Sequence, residues 1–221
     1  MDLMQKSEFD DRLEWSSEKR CPYGTVRNVF GMPTVSALLA YVGERQAAFK
    51  PALVRSRRTG ERGVNPSVRV SLSLTDLGPF RSQIESAMRA IAPVALARLG
   101  LIEPKVEPRE FEYARYGDGC YFKTHVDTVE RVENVRILSC VYYFSAMPPR
   151  YSGGQLRLRG FPDPLRETAG PIVDITPETD KLVIFPSWLE HEVLSVHVPS
   201  DVWLDGRFSV NCWIHRAPAG S

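Results

Sequence analysis

His125 and Asp127 stand two residues apart in Tyr116-Gly-Asp-Gly-Cys-Tyr-Phe-Lys-Thr-His125-Val-Asp127. In an extended chain, alternate side chains share a face, so an imidazole and a carboxylate at this spacing can reach one ion. A His-x-Asp tripeptide is common by chance, and alone it reads as a surface turn ending a strand. A second histidine, His191, lies far downstream in Phe185-Pro-Ser-Trp-Leu-Glu-His191-Glu-Val, at the start of an apolar strand after a proline-containing turn. Two imidazoles and one carboxylate make a facial triad that leaves adjacent coordination positions open, which suits non-haem Fe(II). Zinc accepts the same ligands, so the triad by itself does not name the metal.

The segment Gly206-Arg207-Phe-Ser209-Val-Asn211-Cys-Trp213-Ile-His215 carries the next chemistry. Its odd positions place Arg207, Ser209, Asn211 and Trp213 on one face of a strand. The other face, Phe208, Val210, Cys212 and Ile214, is apolar and suited to pack against helices. A strand with its polar face inward needs something polar inside. Arg207 offers a planar fork for a carboxylate and Ser209 a hydroxyl donor, so a dicarboxylate is a good candidate. Read singly, Arg207 is a surface ion-pair partner and Asn211 a turn residue. Together, downstream of His191, they read as a ligand-binding row.

The elements that must hold these residues follow from periodicity. Val35, Leu38, Leu39 and Val42 recur at helical spacing within 33–49. A second helix is expected over 80–99, with Ile84, Met88, Ile91 and Leu96 on one stripe and Pro93 kinking or splitting it. Short strands are expected at 51–55 and 67–74, separated by the basic loop 55–63. Beyond Pro104, eight short runs read as strands: 109–116, 121–125, 136–144, 155–159, 171–175, 181–186, 191–198 and 206–215. That pattern suggests an antiparallel sandwich or barrel with helices on one face, an α+β domain. The expected organisation is a tail at 1–20, a helical support region with one or two strands at 21–105, a β core at 106–216 and a tail at 217–221.

The order His125-x-Asp127, distal His191, then Arg207-x-Ser209 resembles the Fe(II)/2-oxoglutarate-dependent oxygenases, in particular their prolyl-hydroxylase-like branch. Leu138-Ser-Cys-Val-Tyr-Tyr143-Phe, Ser152-Gly-Gly154-Gln-Leu-Arg and Thr179-Asp-Lys-Leu-Val-Ile-Phe-Pro resemble that branch as well, over residues 109–216. The resemblance implies a double-stranded β-helix, a jelly-roll or cupin-like barrel with iron at its open end. It implies Fe(II), 2-oxoglutarate and O₂ as cofactors, with ascorbate as a helper. His125, Asp127 and His191 would be the metal and catalytic residues. Arg207, Ser209, Tyr143, Tyr116 and Asn211 would line the 2-oxoglutarate side, with Arg207 and Tyr143 on its distal carboxylate. The separation of His191 from Arg207 is longer than in many relatives, and residues 199–205 read as an enlarged turn at the substrate mouth. Related halogenases carry a small residue where Asp127 stands, so the implied reaction is hydroxylation of an unactivated C–H, with release of succinate and CO₂. The implied substrate is a small molecule, an amino acid, free or carrier-bound, or a peptidyl residue. A protein prolyl hydroxylase proper, a non-catalytic metal-binding jelly roll and a zinc hydrolase are the rival readings.

Other candidates are less specific. His197 and His215 are expected at strand ends in structural or exposed roles. Glu190 and Glu192 should face away from His191. Trp188 and Trp203 either stack on substrate or serve as core or rim. The loop 55–62 either greets an anionic substrate or is simply solvated. The whole chain has 221 residues and a formal net charge of +1, so no global field draws in nucleic acid or an anionic membrane. No apolar run approaches the ~20 residues that span a bilayer, and the N-terminus lacks the apolar stretch of a secretory signal. A cytoplasmic location with reduced cysteines at 21, 120, 140 and 212 is the matching expectation.

Overall fold

A computed structural model describes residues 9, 11–55, 59–101, 105–128, 136–163, 165 and 167–217. The middle of the basic loop, part of the expected N-terminal tail and nearly all of the C-terminal one lie outside the described residues. In chain order the elements are β1 (Glu14–Trp15), β2 (Gly24–Arg27), α1 (Met32–Glu44), β3 (Lys50–Pro51), β4 (Val54–Arg55), β5 (Arg62–Gly63), β6 (Arg69–Val70), β7 (Leu72–Leu74) and α2 (Arg81–Arg98). The second half adds β8 (Val106–Tyr116), β9 (Tyr121–His125), β10 (Arg136–Phe144), β11 (Ser152–Gly153), β12 (Leu156–Arg159), β13 (Ile172–Ile175), β14 (Lys181–Pro186), β15 (Glu190–Val193), β16 (Val196–His197) and β17 (Arg207–Arg216).

Two antiparallel sheets face each other. The larger has the order β1-β2-β14-β10-β17-β8-β7-β3, and the smaller β13-β12-β15-β9-β6. The larger sheet buries its outer face under the helices. Phe208, Val210, Cys212 and Ile214 of β17 join Val35, Leu38 and Val42 of α1 and Ile84, Met88 and Ile91 of α2 in one core. The alternation of β17 fixes this arrangement, because its apolar face has only the helices to meet. Its polar face turns toward the smaller sheet, as expected. All four cysteines are unpaired thiols.

Several local expectations are corrected. Pro93 does not split α2, which runs unbroken to Arg98. Both Pro93 and Arg89, whose carbonyl loses its helical partner there, are exposed, so the freed oxygen is on the solvent side of the helix rather than buried in the core. The segment 67–74 is two strands rather than one. Arg69–Val70 pairs with β9 in the smaller sheet, while Leu72–Leu74 pairs with β8 in the larger, so this segment crosses between them. The expected strand 191–198 breaks at Leu194 and Ser195. Residue 9 and residues 11–20 are not a free tail. Phe9 and Leu13 are buried in the core, and β1 adds an edge strand to the larger sheet. Among the described residues the region 21–105 contributes six short strands instead of one or two; at two to four residues each, they are too short to show a period. No helix of the described residues is long and apolar enough to cross a membrane.

Candidate active site

His125 ends β9 and His191 sits in β15, directly across the ladder from it. Asp127 lies just beyond β9, where its amide donates to the Ser187 carbonyl at 2.9 Å. Ligand atoms of the three side chains lie within 4.8 Å of one another. His125 Nε2 is 3.6 Å from Asp127 Oδ1, and His191 Nε2 is 3.5 Å from Oδ2. Each imidazole is oriented by its own strand. His125 Nδ1 donates to the Lys123 carbonyl at 2.8 Å and His191 Nδ1 to the Leu189 carbonyl at 2.9 Å. A carbonyl can only accept, so both protons sit on Nδ1 and both Nε2 lone pairs face the same space. Ser139 Oγ donates to Asp127 Oδ2 at 2.7 Å and contacts Ser187 Oγ at 2.9 Å.

The electrostatics match a cation site. Burial and the neighbouring His191 push His125 down to about 3. Burial would raise Asp127, but the two imidazoles and the Ser139 hydroxyl hold it well below the carboxylate range. His191 moves the other way: burial lowers it, and the Asp127 carboxylate prevails and raises it. A neutral imidazole and a buried carboxylate within one ion's reach leave a negative charge that a divalent cation would neutralise.

The far end of the same cavity is a cation without a counter-charge among the described residues. Arg207 is 1% exposed, and its Nε and Nη1 have no hydrogen-bond partner; neither does the Tyr143 hydroxyl. The guanidinium is 4.8 Å from the Tyr143 ring centroid and 4.9 Å from that of Tyr116. Burial pushes Tyr143 up to about 12 against the pull of the Arg207 cation, so it stays a protonated donor at neutral pH. Gly154, at φ +64°, lets the chain pass here: a Cβ would come within 2.7 Å of Arg207 Cδ. A buried fork with free donors, beside a free phenol, fits a carboxylate.

All eight residues singled out from the sequence line this one cavity: Tyr116, His125, Asp127, Tyr143, His191, Arg207, Ser209 and Asn211. Ser209 differs from expectation in one respect, because its hydroxyl donates to Asn211 Oδ1 at 3.1 Å. Asn211 in turn donates to Glu112 at 3.2 Å. The cavity also contains Arg69, Glu112, Phe122 and Ser139, which the sequence reading did not pick out. Glu112 and Ser139 were detectable as members of the inward face by alternation from Tyr116 and Tyr143. Arg69 had no such clue, because only strand pairing brings it here.

Most of the remaining candidates have structural partners. His197 contacts Asp118 at 3.0 Å in solvent, and buried His215 meets Glu110 at 3.0 Å. Glu192 faces Arg159 at 2.5 Å, while Glu190 is exposed. Trp203 packs on Phe49 and Phe208 and donates to the Val42 carbonyl at 3.1 Å, so it anchors residues 199–205 to the helical side. Trp188 is 37% exposed. Arg62, at the far end of the basic loop, reaches Glu110 at 3.3 Å.

Residues 111–215 match the profile of the 2OG-Fe(II) oxygenase superfamily. Over this segment, a little under half of the chain, the protein is similar to that superfamily. An uncharacterised PKHD-type hydroxylase of Synechocystis is 32% identical over 137 residues, covering 60% of this chain and 45% of that protein. The chain thus matches less than half of that relative's length. A prolyl-4-hydroxylase from Pseudomonas putida superposes with a TM-score of 0.63 at 24% identity, over 88% of this chain and 92% of that one. A prolyl hydroxylase from Trichoplax adhaerens, solved with a hypoxia-inducible-factor peptide, gives 0.64 at 19% identity, over 88% and 83%. These likenesses establish the double-stranded β-helix. In this fold the triad and the buried Arg207 suit the Fe(II) and 2-oxoglutarate of the superfamily that the segment resembles.

Proposed function

We propose that this protein is a 2-oxoglutarate-dependent Fe(II) hydroxylase, with the metal held by His125, Asp127 and His191. The observation that carries the reading is the pairing, in one cavity, of a two-His-one-carboxylate cluster with a buried arginine that lacks a counter-charge. Iron bound there would supply the oxidative decarboxylation of 2-oxoglutarate to succinate and CO₂ coupled to C–H hydroxylation, with one atom of O₂ going to each product. Arg207 and Tyr143 would take the distal carboxylate, which directs the keto-acid end toward the triad. Tyr116 would close the wall beside them. The two sheets and the helical layer keep this end of the cavity from bulk water. Asp127 fills the carboxylate position, which favours hydroxylation over halogenation.

The substrate of this proposal is an amino acid, free or carrier-bound, a peptidyl residue or a related small metabolite, met in the cytoplasm. A protein prolyl hydroxylase proper is the second reading, favoured by the fold likeness over 88% of the chain to two prolyl hydroxylases. The test is succinate formation from 2-oxoglutarate with Fe(II), ascorbate and O₂ against a panel of amino acids and proline-containing peptides. Stimulated turnover that His191→Ala abolishes supports the proposal. Turnover that persists unchanged in His191→Ala refutes it.

A further inference from the structure

Phe122 lies flat on the imidazole of His125, with ring centroids 3.5 Å apart and planes inclined by 17°. Strict alternation would forbid this, because residues three apart on a strand point to opposite faces. The strand is irregular here. His191 pairs with His125 and Val193 with Phe122, so three steps on β9 oppose two on β15. Such a bulge re-aims side chains, and here it turns Phe122 and His125 to one side. The bulge also supplies the Lys123 carbonyl that takes the His125 ring proton at 2.8 Å.

Phe122 is itself held. Arg69 pairs with it across the β6–β9 ladder, and the guanidinium lies 4.9 Å from its ring centroid. Arg69 is 7% exposed and fixed by two hydrogen bonds, from Nε to Ser71 Oγ at 2.8 Å and from Nη2 to Glu112 Oε1 at 2.9 Å. A buried ion pair on a cavity wall does little for stability that apolar packing would not do, so its placement calls for another reason. Arg69 precedes the segment matched by the family profile, residues 111–215.

We propose that Phe122, clamped by Arg69, is a positioning residue for the metal centre. The stack fixes the plane of His125 so that Nε2 faces Asp127 and His191. The support region thereby takes part in metal binding through β6. This rests on the reading that the triad holds a metal.

The test is Mn(II) affinity of the full chain, read from the free-ion paramagnetic resonance signal without 2-oxoglutarate. Phe122→Leu is expected to bind roughly tenfold more weakly or worse, the usual loss when a ligand's support is removed. Phe122→Tyr, which keeps the stack, should stay within about threefold of wild type. A Phe122→Leu variant as tight as wild type overturns the inference, as does a Phe122→Tyr variant as weak as Phe122→Leu. If Phe122→Leu does not fold, the double variant Arg69→Met/Glu112→Gln, which leaves no orphaned charge, carries the same comparison: weakening supports the clamp and wild-type affinity overturns it. Failure of wild type to bind Mn(II) would instead overturn the metal reading beneath the inference.

Discussion

The guanidinium of Arg207 lies 4.8 Å from the ring centroid of Tyr143, and the two residues are each 1% exposed. Neither the phenol oxygen nor Arg207 Nε and Nη1 has a partner. A buried cation with free donors is destabilising on its own, because it has lost water without gaining a counter-charge. The arrangement is favourable only once an anion is bound.

Arg207→Met should therefore separate binding from stability. Affinity for 2-oxoglutarate, measured calorimetrically, is expected to fall by about 3 kcal/mol, roughly two orders of magnitude. The ligand-free variant should melt no lower than wild type, since the substitution removes an unpaired buried charge. Tyr143→Phe should cost about 1.4 kcal/mol of the same affinity, or roughly tenfold. Unchanged binding in Arg207→Met would place the dicarboxylate elsewhere.

Ser139 contacts no metal, but its hydroxyl fixes Asp127 Oδ2 at 2.7 Å. Ser139→Ala should weaken Co(II) binding by about tenfold, followed by its visible absorption, while the melting temperature barely moves. Affinity equal to wild type would show that the backbone alone positions Asp127.

Asp180 joins the entry of α1 to the larger sheet. Its carboxylate accepts from the Phe30 and Gly31 amides at 2.9 and 2.8 Å and from the Tyr142 hydroxyl at 2.9 Å. Asp180→Ala leaves these donors unsatisfied and should cost about 2–3 kcal/mol in urea unfolding. A loss of a few tenths would mean that water replaces the carboxylate.

Acid stability should depend on Glu110. Burial raises this carboxyl, but hydrogen bonds and charges from His215 and Arg136 prevail and hold it well below its ordinary 4.5. A folded-state value below the unfolded one contributes stability that is fully present above 4.5 and is lost as pH falls below it. Glu178, lowered to about 2 by Arg27 and Lys181, acts in the same sense but is 41% exposed, so solvent screens most of its effect. Glu110→Gln should flatten the acid limb of the urea midpoint against pH. A limb as steep as that of wild type would assign acid sensitivity to other carboxylates.

Most strands of the β core were legible because β-branched and aromatic runs between turns carry a strong local pattern, and β17 displayed its two faces outright; the two-residue β11 was missed and the expected 191–198 divides into β15 and β16. Strands of two to four residues in the first half carry no period, so their places in the sheets depend on partners far along the chain. The same division holds in the cavity. His125, Asp127, His191 and the Arg207 row follow from spacing and alternation. Phe122 stood on the wrong face by alternation, and only the bulge brings it to His125. Arg69 enters the site through pairing of β6 with β9, which no local feature of residues 67–74 announces. Pro93 leaves α2 unsplit for a related reason: the carbonyl it frees lies on the exposed side of the helix, and that exposure could not be read in advance.

The most direct measurement is an anaerobic titration of the apoprotein with Fe(II) and 2-oxoglutarate, watched for the weak visible charge-transfer band of the chelate. Wild type should develop the band at one equivalent of each, His191→Ala should lose it, and Arg207→Met should show it only at much higher 2-oxoglutarate. Absence of the band in folded wild-type protein, or its persistence unchanged in His191→Ala, would contradict a metal centre at His125, Asp127 and His191 served by Arg207.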